Sequence, residues 1–136
     1  MRVFPDTNVL FAALATRGLC ADLLRALLAG HEVVIGEPVL AELRRNLVTK
    51  ARIPSDRADA ALAFINELER APPASKIARP PAGIDAPDAA ILECAAKAGA
   101  ALFVTGDRAL LKLGSYAGVP IVSPRDLWLR LGQSER

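Results

Sequence analysis

The chain is poor in the residues that most metal and redox sites require. Its 136 residues include one His and two Cys, and aromatic residues make up only 4% of the total. Without paired Cys or several His residues, a zinc site is not expected. Cys20 and Cys94 lie far apart in apolar, helix-like segments, which is typical of buried reduced thiols and of a reducing compartment.

Long hydrophobic runs are also missing. No apolar stretch approaches the ~20 residues needed to span a bilayer. Residues 1–6 are interrupted by charge too early for a signal peptide. We therefore expect a cytoplasmic protein with no membrane partner.

What the chain does have is the composition of one folded domain over residues 1–136. Apolar residues make up 52%, mostly Ala, Leu and Val, which suits helices packed on a sheet. The length is near the commonest domain size and can bury a core without disulfides. The formal net charge of +2 is too small to identify a polyanionic partner by itself.

Strand-like and helix-like segments alternate along the sequence. Strands are predicted at residues 3–4, 32–35, 102–105 and 119–122. Helices are predicted after Asp6, at 19–29, 38–48, from 55 to before 72, at 87–97, at 107–113 and after 123, with Ser55 and Ser123 as caps. The proline-rich stretch 72–83 is predicted to be a loop with a possible edge strand at 76–78.

This alternation predicts an α/β fold: a three-layer α/β/α sandwich around a central, mostly parallel sheet of four to five strands. Sites in such sheets form outside the carboxyl ends of the strands. Asp6 and Asp107 follow strands directly, Asp88 opens a helix, and Glu42 lies one turn into the helix after the second strand. These four acids are therefore expected to converge.

Each acid also has a purely structural interpretation. An Asp at a helix start commonly caps free backbone N–H groups, and Glu42 is compatible with a solvent-facing position. Asp85 lies in a turn, where its short side chain can satisfy local backbone groups. As a cluster without neighbouring cations, however, the carboxylates would raise one another's pKa, and the arrangement favours a site for a hard metal ion.

Four motifs, in order, carry a resemblance to a known family. They are Asp-Thr-Asn-Val at 6–9, Glu42 in its helix, Asp-Ala-Pro-Asp-Ala-Ala-Ile-Leu at 85–92 and Val-Thr-Gly-Asp-Arg-Ala-Leu-Leu at 104–111. Together they cover essentially the whole chain. The chain resembles the PIN-domain family of metal-dependent ribonucleases, in particular the VapC-like toxins of bacterial toxin–antitoxin pairs.

The resemblance implies a PIN-like fold, an endoribonuclease with RNA as substrate, a cognate antitoxin partner and a homodimer. It also implies a catalytic quartet that holds Mg²⁺ or Mn²⁺, with two polar residues supporting it. The quartet is Asp6, Glu42, Asp88 and Asp107, and the supporting residues are Asn8 and Thr105.

The chain departs from the family pattern at two places. Pro5 stands where an aliphatic residue is usual, and the segment around Asp88 has fewer acids than the family commonly shows. Asp85 is therefore an alternative to Asp88 as the ligand. We assign Asp88 because residues 90–92 follow it as the helix of the family does.

Basic residues flank the acidic positions and are candidates for RNA binding. One group lies on or after the Glu42 helix, namely Arg44, Arg45, Lys50, Arg52 and Arg57, although such runs also form ordinary solvated faces. Arg108 and Lys112, beside Asp107, are better placed to meet phosphates. No aromatic residue interleaves these cations, so the sequence predicts no stacking platform for unpaired bases.

Two readings other than a toxin stay open. One is a non-catalytic PIN-like module that binds RNA or protein, and the other is a housekeeping RNA-processing nuclease. A phosphorelay receiver, an Asp-x-Asp phosphatase and a Rossmann module fit poorly. The chain lacks the paired acids of the first, has Asn8 at the second Asp position and contains no Gly-x-Gly-x-x-Gly motif.

Overall fold

The computed structural model describes residues 1–74 and 79–134. The possible edge strand predicted at 76–78 lies outside the described residues. The described strands are β1 (Arg2–Pro5), β2 (Glu32–Ile35), β3 (Glu69–Arg70), β4 (Leu102–Val104), β5 (Ser115–Tyr116) and β6 (Val119–Val122). The described helices are α1 (Thr7–Ala15), α2 (Leu19–Gly30), α3 (Glu37–Thr49), α4 (Ser55–Asn66), α5 (Ala86–Lys97), α6 (Arg108–Leu113) and α7 (Pro124–Ser134).

The strands form one sheet in the order β3-β2-β1-β4-β6-β5. All pairs are parallel except β5 with β6, which is antiparallel. The predicted α/β class with a central, mostly parallel sheet is confirmed. The described sheet has six strands rather than four to five, because β3 and β5 add two residues each at its edges. Elements that short carry no readable hydrophobic period.

Helix α4 ends at Asn66, before residue 72 as predicted, and the chain then turns to pair β3 with β2. One predicted detail of this helix is wrong. Ser55 is the first residue of α4 and not its cap, a position that Pro54 holds without a side-chain hydrogen bond. The predicted cap of α7 is confirmed, since the backbone N–H of Asp126 donates to Ser123 Oγ at 3.1 Å.

The centre of the core lies between the two middle strands. Phe4 on β1 and Phe103 on β4 are register partners, and their rings stack with centroids 5.6 Å apart. Both are fully buried. Gly36 lies against Phe4, where an added Cβ would come within 2.7 Å of the Phe4 Cζ atom. This packing fixes the carboxyl ends of β1, β2 and β4 relative to one another.

The helices are short. Among residues 1–74 and 79–134, none is long and apolar enough to cross a membrane.

Candidate active site

Asp6 and Thr105 lie side by side because β1 and β4 are neighbouring parallel strands. Each residue directly follows its strand, and the Asp6 backbone N–H donates to the Val104 carbonyl at 2.9 Å. The Thr105 hydroxyl donates to Asp6 Oδ2 at 2.7 Å, and the Thr7 N–H donates to Asp6 Oδ1 at 2.8 Å. Both Asp6 and Thr105 are buried, so the carboxylate is held in one orientation.

Asn8 ties the two strand ends together. Its Nδ2 donates to Asp6 Oδ2 at 3.2 Å and to Thr105 Oγ1 at 3.3 Å. Its Oδ1 accepts from the Gly106 N–H at 3.0 Å. The two residues predicted to support the site, Asn8 and Thr105, therefore both contact Asp6 directly.

Asp107 caps α6 with one oxygen only. Its Oδ1 accepts from the N–H groups of Ala109 and Leu110, at 2.8 and 3.1 Å, and its own N–H donates to Thr105 Oγ1 at 3.0 Å. No hydrogen bond reaches Asp107 Oδ2 from any described residue. Capping and a functional role are therefore compatible for this carboxylate, because one oxygen remains available.

Asp85 and Asp88 have different surroundings. Asp85 caps α5, and its Oδ1 accepts from the backbone N–H of Asp88 at 2.9 Å. The side chain of Asp88, in the first turn of α5, lines the same cavity as Asp6 and Asp107, whereas Asp85 does not. The geometry thus agrees with the capping interpretation of Asp85 and brings Asp88 to the acidic cluster.

Glu42 completes the cluster from α3. Positions 42 and 46 of α3 and its C-cap position 50 are spaced by four residues and so form one stripe, beside the core-facing stripe of Val39, Leu43 and Leu47. The stripe faces a cavity of about 200 Å³. The cavity is lined by Asp6, Asn8, Phe11, Glu42, Asn46, Lys50, Asp88 and Asp107.

The cavity holds its carboxylates in an unfavourable electrostatic environment. The pKa of Asp88 is raised to about 6, first by burial and then by repulsion from Asp85, Asp6, Asp107 and Glu42. Burial also raises the pKa of Asp6, an effect that the hydrogen bond from Thr105 opposes. None of the four cavity carboxylates takes part in an ion pair with a described residue. A bound cation would relieve this repulsion.

The donor set fits Mg²⁺ or Mn²⁺ by chemistry, since every acidic ligand is an oxygen donor. Within residues 1–74 and 79–134, no three Asp, Glu, His or Cys side chains are close enough to hold one ion together. Mg²⁺ commonly keeps several waters and takes one or two carboxylates directly, and a cavity of about 200 Å³ has room for such waters. Asp6 and Asp107, fixed by their hydrogen bonds, are the best-positioned candidates for direct contact.

Of the described cations predicted to bind RNA, Lys50 lines this cavity and the others do not. Arg44 points toward α4 and forms an ion pair with Asp59, with Nε to Oδ1 at 2.8 Å. Arg45 and Arg108 are exposed and do not line the acidic cavity. Lys112 lines a separate cavity with Ala82, Gly83, Ala109 and Leu113.

Sequence reasoning did not single out Phe11 or Asn46, and it placed Lys50 only within a basic stretch. The four-residue spacing from Glu42 was the available signal for Asn46 and Lys50. Phe11 follows Asn8 by three residues on α1 and so shares its face. Phe11 lines the same cavity as Lys50 because α1 packs against α3, and this packing cannot be read from the local sequence of either helix.

The fold and the cavity together define an α/β protein with an acidic site at the carboxyl edge of a parallel sheet. Within that class, the chain belongs to the PIN domain family, whose model matches residues 2–109. Comparison with curated protein sequences gave no match.

Two solved structures have a similar fold. One is VapBC2 from Rickettsia felis, crystallised with a DNA fragment from its promoter, at 20% identity and a TM-score of 0.65 over 90% of this chain and 98% of that one. The other is PAE2754 from Pyrobaculum aerophilum, at 20% identity and a TM-score of 0.66 over 98% of this chain and 90% of that one. The structural likeness extends over nearly the whole chain.

Proposed function

We propose that the chain is an endoribonuclease that depends on Mg²⁺ or Mn²⁺ and hydrolyses phosphodiester bonds of RNA. The observation that carries the proposal is the set of four carboxylates, from four separate segments, that line one cavity in a PIN domain. PIN domains are in general nucleases. The presence of all four acids argues for catalysis rather than binding alone, because a binding module has no need of mutually repelling carboxylates.

Each residue has a distinct part in the proposed site. Asp6 and Asp107 would hold the ion, with Asp88 and Glu42 contacting it directly or through water. Asn8 and Thr105 keep Asp6 oriented through the hydrogen bonds described above. When bound, the ion would lower the pKa of a water molecule and offset the negative charge that develops on the phosphate.

The biological role we propose is that of the toxin in a toxin–antitoxin pair, working in the cytoplasm as a homodimer with a cognate antitoxin. The similarity in fold to a VapBC assembly over 90% of this chain supports this part of the proposal. We also propose that residues 1–136 act as one domain. The pairing is tested by co-expression with a small gene encoded beside it. The partner should restore the growth of cells that expression of this chain alone inhibits.

The nuclease proposal is tested by incubating purified protein with labelled, structured RNA in Mn²⁺, in Mg²⁺ and in chelator. We expect cleavage with either ion and none in chelator. Asp6→Asn should abolish it, because it removes the buried charge while Asn remains a good helix cap.

Asp56→Asn is the matched control. Asp56 lies in the first turn of α4, is exposed and does not line the cavity. Cleavage that persists in chelator, or equally in Asp6→Asn, would contradict the proposal. A folded protein that binds RNA without cutting it would favour the non-catalytic module instead.

A further inference from the structure

The acidic cavity has a second, non-acidic wall. It consists of Phe11 from α1, Asn46 from α3, and Lys50, the C-cap residue that follows α3. Lys50 lies eight residues beyond Glu42, about 12 Å along the helix axis. Lys50 lines the same cavity as Asn46 and the carboxylates, in agreement with the lean of helical side chains toward the N-terminus.

The Lys50 ammonium group is available to an incoming ligand. It makes no ion pair or hydrogen bond with any described residue, although it lines a cavity rich in carboxylates. A Lys at a helix C-terminus is also favoured by the helix dipole, which accounts for its place in the sequence. The dipole does not account for its position at the rim of this particular cavity.

The neighbours of Lys50 on this wall suit a nucleotide. Phe11 is half-buried: it packs against the core and also lines the cavity. The Asn46 side-chain amide forms no hydrogen bond with a described residue, so both its donor and its acceptor are open. An aromatic ring, a free amide and an ammonium group in one wall match the base and the phosphate of an unpaired nucleotide.

We infer that this wall positions the RNA strand beside the reactive phosphate: Lys50 binds a neighbouring phosphate, and the Phe11 ring stacks on the adjacent base. Asn46 lies between them and hydrogen-bonds the base edge or the ribose. The inference rests on the proposed nuclease function and adds its substrate-positioning residues. It requires the nucleotide next to the cut to be unpaired, because a base in a duplex has no free face for Phe11.

The test is cleavage kinetics in Mn²⁺ with a short single-stranded RNA, measured across a salt series. Lys50→Met should raise KM about tenfold and change kcat little. The slope of log(kcat/KM) against log[salt] should become shallower by about 0.7, the value for one lost phosphate contact on a single strand. Lys50→Arg should restore both. Arg17→Met is the matched control, since Arg17 is exposed, outside the cavity and unpaired within the described residues.

The stacking contact is tested separately with Phe11→Leu, which keeps an apolar side chain against the core, and with Phe11→Tyr, which keeps the ring. We expect Phe11→Leu to weaken single-stranded RNA binding roughly 5- to 150-fold and Phe11→Tyr to retain it. The same RNA annealed into a duplex should be cut poorly by every form of the protein.

The outcomes separate two failures. If the unmodified protein cleaves no RNA, the proposed function fails and this assignment fails with it. If it cleaves, but Lys50→Met matches Arg17→Met in KM and salt slope, or Phe11→Leu matches Phe11→Tyr, the positioning wall is refuted while the nuclease stands.

Discussion

Neutralising one carboxylate of the cavity should stabilise the metal-free protein. Asp88→Asn removes a charge that burial and four neighbouring acids disfavour. The Asp88 side chain accepts no hydrogen bond from any described residue, so its charge can be removed without breaking one. The variant therefore removes both the cost of burying this charge and its repulsion from the other acids.

The magnitude follows from the pKa of Asp88, which is raised from 3.8 to about 6. Fully expressed, that elevation corresponds to about 3 kcal/mol of destabilisation at pH 8, from burial of the charge and from repulsion together. Asp88 is only half-buried, and solvent screening reduces the figure to roughly 1.5 kcal/mol. Loss of the favourable helix-dipole contact in the first turn of α5 costs about 0.5 kcal/mol. We therefore expect a net gain of about 1 kcal/mol, or about 3 to 5 °C in Tm.

The pH dependence has a definite sign. The folded-state pKa of Asp88 lies above its unfolded value of 3.8, so the folded protein binds more protons between about pH 4 and pH 6. The metal-free protein should therefore lose stability as the pH rises through that window. Asp88→Asn should lack this component of the loss.

Thermal unfolding in chelator at pH 5 and pH 8, and again with Mn²⁺, measures the effect. With Mn²⁺ at about one hundred times its Kd, the unmodified protein should gain about 2.7 kcal/mol, and the order of stabilities should reverse. Asp56→Asn, in the first turn of α4 but outside the cavity, should show neither the gain in stability in chelator nor the reversal of order with Mn²⁺. An Asp88→Asn variant no more stable than Asp56→Asn in chelator at pH 8 would refute the reasoning.

Two further substitutions probe the support of the site and of the core. Thr105→Val removes the hydroxyl that donates to Asp6 at 2.7 Å and accepts from the Asp107 N–H at 3.0 Å. The pKa of Asp6 should rise further, so the pH range in which Mn²⁺ binds, measured by calorimetry, should move upward. An unchanged pH profile of binding would contradict this. Gly36→Ala places a Cβ 2.7 Å from the Phe4 Cζ atom and should cost about 1–3 kcal/mol in urea unfolding, so an unchanged midpoint would count against the described packing.

Much of the candidate site could be predicted from the sequence, because a rule about the ends of parallel strands was enough to bring its residues together. Asp6 and Asp107 each follow a parallel strand, and parallel strands bring their carboxyl ends to one edge. Asp88 needed more than this rule, because Asp85 was an equally acidic neighbour. The structure distinguishes them: Asp85 caps the helix by accepting from the Asp88 N–H, whereas Asp88 lines the cavity.

Other features depended on tertiary packing and were not predicted. Phe11 and Lys50 line the same cavity because α1 packs against α3, and no local pattern in either segment specifies that packing. Arg44 was a candidate for RNA binding, but its position on the stripe next to α4 brings it to Asp59. The edge strands β3 and β5 form by pairing with neighbours rather than by their own propensity, since two residues are too few to show one.

The central claim is that four carboxylates act as one metal-dependent nuclease site. Its most direct test is single-turnover RNA cleavage at graded Mn²⁺ concentrations by Asp6→Asn, Glu42→Gln, Asp88→Asn and Asp107→Asn, beside Asp85→Asn. Asn caps a helix as well as Asp does, so Asp85→Asn should keep the start of α5 and remain active. The account predicts loss of cleavage in all four cavity variants and activity in Asp85→Asn. Full activity in any of the four cavity variants, or loss of cleavage in Asp85→Asn, would contradict it.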